Sequence, residues 1–274
     1  MSVFFALISA VTFGAADFLG GIATRTSNRV FSVVVASQIV GLSVAVVTLV
    51  LVGGDLVAED IGWAAAGGLA GAAGLLLLYR GLAIGTMSVV APLSAIMGAL
   101  VPVGWGILTG ERPSLVAMIG IPVALAAIVL VSGGGRRMEI GPGVLEAVGA
   151  GIGFGLFFVL IANTESAELW TMTFARLASI SVVALIAVIA GAPLRPGRGV
   201  GWIVAGAGAL DMTANLLFLL AERRGLLTLV AVITAMYPAS TVVLARVVLD
   251  ERLTRPRLYG LGLAALGIGL ISVG

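Results

Sequence analysis

The chain has no cysteine, no histidine and no lysine, and only one residue in ten is charged. Without cysteine and histidine there are no disulfides, no thiolate chemistry, no zinc or haem site of the usual kind, and no Ser-His or Cys-His nucleophile pair. All 15 basic residues are arginine, and the net charge is only +2, so the pI of 9.7 reflects few titratable groups rather than a basic surface. No basic run or basic-aromatic alternation marks a nucleic-acid interface. No Walker motif or soluble nucleotide domain is there to use ATP. A soluble domain of 274 residues is about a quarter charged, far more than this chain.

Hydrophobic residues, in contrast, make up 60% of the chain, with a mean hydropathy of +1.21 and 39 glycines. Glycines so abundant weaken soluble helices but suit close helix packing in a bilayer. A helix needs about 20 apolar residues to cross the hydrocarbon. Ten segments qualify, at 3–22, 30–52, 61–80, 86–108, 114–132, 143–162, 168–190, 200–221, 226–248 and 256–273. The first lacks a signal-peptide cleavage pattern and is expected to remain in the mature protein. The breaks are short. The longest carries Gly133-Gly-Gly-Arg-Arg137 and joins two halves, 1–137 and 138–274.

The halves repeat one another. Residues 74–134 laid without gaps on 214–274 match at 16 of 61 positions, against about one in ten expected by chance from so biased a composition. Gly85 aligns with Gly225, Val90-Ala91 with Val230-Ala231, Glu111-Arg112 with Glu251-Arg252, and Gly120 with Gly260. Earlier, Phe13-Gly14 answers Phe154-Gly155, and Gly62-Trp63 answers Gly201-Trp202. Five spans is an odd number, so two fused copies are expected to lie upside-down to each other. The fold expected is an all-α membrane protein of ten transmembrane helices in two inverted five-helix repeats. Breaks after odd-numbered spans carry ten arginines (25, 29, 80, 136, 137, 195, 198, 252, 255, 257) and the even ones three (112, 223, 224). The positive-inside rule puts the odd breaks in the cytoplasm and both termini outside.

Several motifs resemble a known pattern. Arg80-Gly-Leu-Ala-Ile-Gly-Thr-Met-Ser-Val-Val-Ala-Pro92, then Val101-Pro102 and Gly110-Glu-Arg-Pro-Ser114, are similar to the EamA-type branch of the drug/metabolite transporter superfamily. Val230-Ala231, Tyr237-Pro238 and Asp250-Glu251-Arg252 resemble its second copy, and Phe13-Gly-Ala-Ala-Asp17-Phe-Leu-Gly-Gly21 resembles the first helix of actinobacterial members. The resemblance implies two inverted five-helix halves around a central cavity, with spans five and ten peripheral. It also implies export or exchange of small metabolites, often amino acids or related compounds, by alternating access in a bacterial inner membrane. Gly98 stands where many members have proline, Asp250 replaces a glycine, and many members have cytoplasmic termini, opposite to the arginine bias here.

Polar side chains deep in the spans are the candidate site. A charge at mid-bilayer costs about 2.5–3.5 kcal/mol, so Asp17, Arg176 and Asp211 must face a cavity or a partner. Arg176 and Gln38 sit at matched depth in spans seven and two and should face one another. Arg176 then either holds a substrate carboxylate or phosphate with help from Gln38, or forms a permanent ion pair with Asp17 or Asp211. Asp211 and Asn215 share a helix face and either meet a substrate amine or a proton, or brace the fold. Asp17 pairs structurally or joins the cavity wall. Tyr237 lines the cavity, and Tyr79 anchors at the interface. Arg246 should pair with Asp250 one turn on. Pro92, Gly98, Pro102 and Pro238 interrupt spans four and nine, as tolerated kinks or as hinges. Glu111 and Glu251 cap the following helix, or close a gate with Arg112 and Arg252.

A secondary transporter for a small polar metabolite is the reading these features favour, with a proton or cation as a coupling partner, no cofactor, and a monomer or homodimer in the bilayer. The alternatives are a channel or scaffold, or an intramembrane enzyme using Asp17 and Asp211. The Tyr-Asp and Gly-x-Gly-Asp motifs of intramembrane aspartyl proteases are absent from Ala16-Asp17 and Ala209-Leu210-Asp211.

Overall fold

A computed structural model describes residues 1–84, 87–131, 142–248 and 254–273. Glu251 with its neighbours Asp250 and Arg252, the joint at 132–141, and the side chains of Tyr79 and Arg246 lie outside the described residues. The described residues form eleven helices and no strand. They are α1 (Ser2–Ser27), α2 (Val30–Val52), α3 (Asp60–Ile84), α4 (Met87–Leu108), α5 (Leu115–Val131), α6 (Val144–Ala162), α7 (Glu168–Ile189), α8 (Gly201–Glu222), α9 (Leu227–Thr234), α10 (Tyr237–Val248) and α11 (Arg255–Val273). Eight stretches are long and apolar enough to cross a membrane, α9 and the first part of α10 counting as one, and two shorter apolar helices accompany them at Pro92–Leu108 and Leu115–Val131. Val50, Leu51, Leu108, Leu115, Leu145, Ile189 and Trp202 are exposed along the outside, as a lipid-facing surface requires.

Span nine is interrupted beside Pro238, as expected. It is two helices, because the ladder fails before Pro238. Pro238 has no N–H to give the Thr234 carbonyl, so the last turn of α9 tightens, with Met236 N–H bonding the Ile233 carbonyl at 3.1 Å. The chain restarts with Pro238 in the first turn of α10, where its missing N–H is harmless. Span four carries Pro92, Gly98 and Pro102 within one unbroken helix, as tolerated prolines would sit. It lies flush on α6, where Gly151 and Gly155 leave room for the Ser94 carbonyl and for Met97 and Val101. Neighbouring helices can hold a proline-bearing membrane helix in this way.

The helices pack across the halves. α3 lies on α6 and α1 on α8, α2 lies between α7 and α8, α4 lies on α6 and α9, and α5 pairs with α11. Glycine sets the closest crossings. Gly74 and Gly153 bring α3 and α6 together, Gly120, Gly260 and Gly267 do so for α5 and α11, and Gly14 lets α1 meet the Tyr237 carbonyl. Thr241 Oγ1 seals the last crossing with a 3.1 Å bond to the Gly14 carbonyl, and Ser9 Oγ ties α1 to the Ala214 carbonyl of α8 at 2.8 Å.

Even-numbered breaks meet at one end of the bundle. Asp60, starting α3, accepts bonds through Oδ2 from Glu165 N–H (2.8 Å), Ser166 N–H (2.6 Å) and Ser166 Oγ (2.8 Å). Arg223, ending α8, pairs with Glu168 at 3.2 Å and donates to the Ser166 carbonyl. Glu111 accepts from Leu227 N–H at 2.6 Å and Thr228 N–H at 2.9 Å. It therefore caps α9 in the other half, not the following helix α5, whose first turn Ser114 caps at 3.1 Å. Arg112 bonds only its neighbour's carbonyl, at 3.1 Å from Glu111 O, and makes no described contact across a gate. At the opposite end Arg29 and Ser32 reach the carbonyls of Arg195 and Pro193, and Arg80 meets Glu146 at 3.4 Å.

Candidate functional site

The polar layer is set by two close helix approaches. A Cβ on Gly208 would collide with the Ser37 carbonyl, so α8 presses onto α2 immediately beside Gln38. A Cβ on Gly68 would collide with the Ala175 carbonyl, so α3 presses onto α7 immediately beside Arg176. Asp211 stands about one turn along α8 from Gly208 and is carried to the same level.

There Arg176 donates from Nη2 to Asp211 Oδ2 in an ion pair, and its Nη1 makes a long 3.5 Å contact with Gln38 Oε1. The Arg176 side chain is 13% exposed and that of Asp211 35%, so the pair opens to solvent on its carboxylate side. Asn215, 2% exposed, donates from Nδ2 to the Asp211 carbonyl at 2.8 Å, and its Oδ1 has no partner. A buried amide oxygen without a partner costs about 1–3 kcal/mol unless water or a ligand meets it. In this geometry Arg176 is paired with Asp211, one of the two carboxylates the sequence offered it.

Asp17 differs from the other charges. Its side chain is exposed, on a helix packed against α8 and α10. The structural pairing expected for Asp17 is not found, since no hydrogen bond or ion pair reaches it among the described residues. Tyr237, at the start of α10, is half-buried, and its carbonyl meets Gly14, about one turn before Asp17 on α1, so the break in span nine lies near that level. Phe158 of α6 touches Phe13 of α1 (centroids 6.3 Å apart) and Phe218 of α8 (4.3 Å). Phe13 and Phe218 stand one to two turns from Asp17 and Asp211 toward the end held by Asp60 and Glu111.

Two open hollows, one by Gly199, Gly201, Trp202 and Ala205, the other by Val40, Ser43, Val44, Val47 and Thr48, lie on the outer surface and hold none of these groups. Gly98 lies beside Gly151 and Phe154 within an intact helix, and Pro92 and Pro102 share that helix. What sequence reasoning missed was the Asp60–Ser166 and Arg223–Glu168 network, because its partners come from breaks far apart in the chain. The acidic character of those even breaks was its only trace.

Residues 141–273 match the model of the EamA-like transporter family. The match supports a place in the drug/metabolite transporter superfamily and a multi-pass membrane protein of transporter type. One solved structure, described only as "Crystal structure of protein", resembles the chain with a TM-score of 0.76 at 18% identity, over 97% of this chain and 98% of that one. At that identity the likeness establishes the fold. No curated protein matches.

Proposed function

We propose that the chain is a secondary transporter that moves a small polar metabolite, an amino acid or related compound, by alternating access around the layer of Arg176, Asp211, Gln38, Asn215, Asp17 and Tyr237. The observation that carries this is an ion pair at mid-helix depth whose carboxylate side is open and whose neighbour Asn215 keeps an unused acceptor. A purely structural pair would be closed over and fully bonded. The two halves, 1–137 and 138–274, are inverted repeats in this reading. In support, the helix pairings keep their pattern when each helix is exchanged for its counterpart, as α3 on α6 becomes α8 on α1. The discontinuity between α9 and α10 fits a hinge beside the site, as in other carriers whose broken helices border the substrate. The chain works in a bacterial inner membrane, exporting or exchanging its substrate, with a proton or cation as driving ion.

The test begins with a thermal-shift screen of amino acids, nucleosides, sugars and cations, since a binder stabilises in proportion to its occupancy. Counterflow of the labelled binder in liposomes then separates a carrier from a channel or scaffold. Arg176→Gln with Asp211→Asn removes both charges of the pair while keeping two polar side chains, and the double variant is expected to melt near the wild-type temperature with no counterflow. Wild-type counterflow in the double variant would move the site elsewhere.

A further inference from the structure

One corner of the bundle gathers arginine without acid. Residues 25–32 and 190–202 carry Arg25, Arg29, Arg195 and Arg198 and contain no carboxylate. The structure brings the two stretches together. Arg29 donates from Nη1 to the Arg195 carbonyl at 3.3 Å, and Ser32 Oγ bonds the Pro193 carbonyl. Gly197 lies against Ser27, where a Cβ on the glycine would come within 3.2 Å of the serine Cβ. Beneath them Ala23, Val33, Val200 and Val204 form a small apolar core of their own, which packs the corner in place. Arg29, Arg195 and Arg198 are exposed, and none has an ion pair among the described residues. Arg80, at the same end of the bundle, differs because Glu146 holds it. Trp202 follows Arg198 by one turn and is 91% exposed, and the hollow lined by Gly199, Gly201, Trp202 and Ala205 opens outward there.

We infer that this corner docks an anionic phospholipid of the bilayer: the lipid phosphate meets the guanidinium groups of Arg29, Arg195 and Arg198, and the glycerol and upper acyl chain lie in the hollow beside Trp202. Depth is the first argument. A tryptophan exposed at the start of a membrane helix sits at headgroup level, so the arginines four and seven residues before it stand among the lipid phosphates. Charge is the second. A planar guanidinium matches a phosphate with two parallel hydrogen bonds, and basic groups beside a membrane helix attract anionic lipid. A zwitterionic headgroup would add its own ammonium to a corner already in positive excess. The hollow is the third, because the glycines leave room against α8 for the part of the lipid below the phosphate. The inference rests on the multi-pass membrane fold and is independent of transport.

The experiment is a thermal-shift titration of the purified full chain in detergent micelles, at fixed ionic strength. Its arms are phosphatidylglycerol, phosphatidylcholine and sodium phosphate. A saturable rise in Tm is expected with phosphatidylglycerol, at an apparent affinity about fivefold or more above that for phosphatidylcholine, and none with free phosphate at the same concentration. Arg195→Gln with Arg198→Gln removes two charges whose side chains make no described bond. That double variant should melt near the wild-type temperature without lipid and bind phosphatidylglycerol about fivefold or more weakly. Arg112→Gln, at the opposite end of the bundle, should keep the wild-type response. A second measurement needs no charge variant: brominated phosphatidylglycerol should quench a part of the tryptophan emission that Trp202→Phe removes. Equal responses to the two lipids, a response matched by free phosphate, an undiminished response in the double variant, or quenching unchanged in Trp202→Phe overturns the inference. So does the absence of any response to phosphatidylglycerol.

Discussion

The capped end of the bundle and its polar middle use the same residue types to opposite effect. At the end, Asp60 accepts three hydrogen bonds through one oxygen, and Glu111 spends both oxygens on the first turn of α9. In the middle, Asp211 has one ion-pair partner and an open face, and Asp17 has no described partner. A carboxylate held by two or three donors at a helix start is a fastener, because its bonds are spent within the fold and little acceptor capacity is left for a ligand. A carboxylate left short of partners in a low-dielectric cavity is held in readiness for one. The comparison also runs along the chain, since fasteners join breaks to helix starts whereas the open groups lie mid-helix.

The largest effect should come from removing one charge of the middle pair. Asp211→Asn strands Arg176 in a site where its side chain is only 13% exposed, and is expected to cost about 3–5 kcal/mol in unfolding experiments in detergent. Adding Arg176→Gln should recover most of that loss. A single variant as stable as wild type would mean that the pair is not desolvated, and would erase the contrast with the capped end.

Next comes the fastener itself. Asp60→Ala leaves two N–H groups and a hydroxyl without their acceptor, at about 2–4 kcal/mol in total. The same variant should leave ligand-induced thermal shifts in place, which separates structural from binding carboxylates in one protein. Smaller still is Glu111→Gln, which keeps one acceptor oxygen of two and should lower stability by about 1 kcal/mol. Hydrogen exchange confined to Leu227 and Thr228 would check that the loss is at the α9 cap. The smallest change in stability belongs to Asp17→Asn, read in the same unfolding experiments, because no bond among the described residues is broken.

Much of this was legible in residue order. Runs of apolar residues give helix positions to within a few residues, because a bilayer accepts little else. Asn28 in a left-handed conformation and Gly53 at φ 76° end α1 and α2 where the breaks begin. The expense of intramembrane charge pointed to Arg176, Asp211 and Asp17, and matched depth paired Arg176 with Gln38. Proline content was a poorer guide. Pro92 and Pro102 sit in an unbroken α4, whereas the single Pro238 accompanies a break. The difference lies in the surfaces against which each helix packs, which local sequence does not encode.

By itself the sequence determined the apolar, helical character of the chain, the order of its apolar segments and the short roster of polar groups available to a site. Those follow from composition and spacing, which act along the chain. Only the tertiary structure decided that Asp211 is the carboxylate paired with Arg176, that Asp17 has no partner among the described residues, and that Glu111 caps α9 rather than the helix that follows it. These outcomes depend on helix crossings set by glycines such as Gly68 and Gly208, where a single missing Cβ brings one backbone against another and carries the neighbouring charges together.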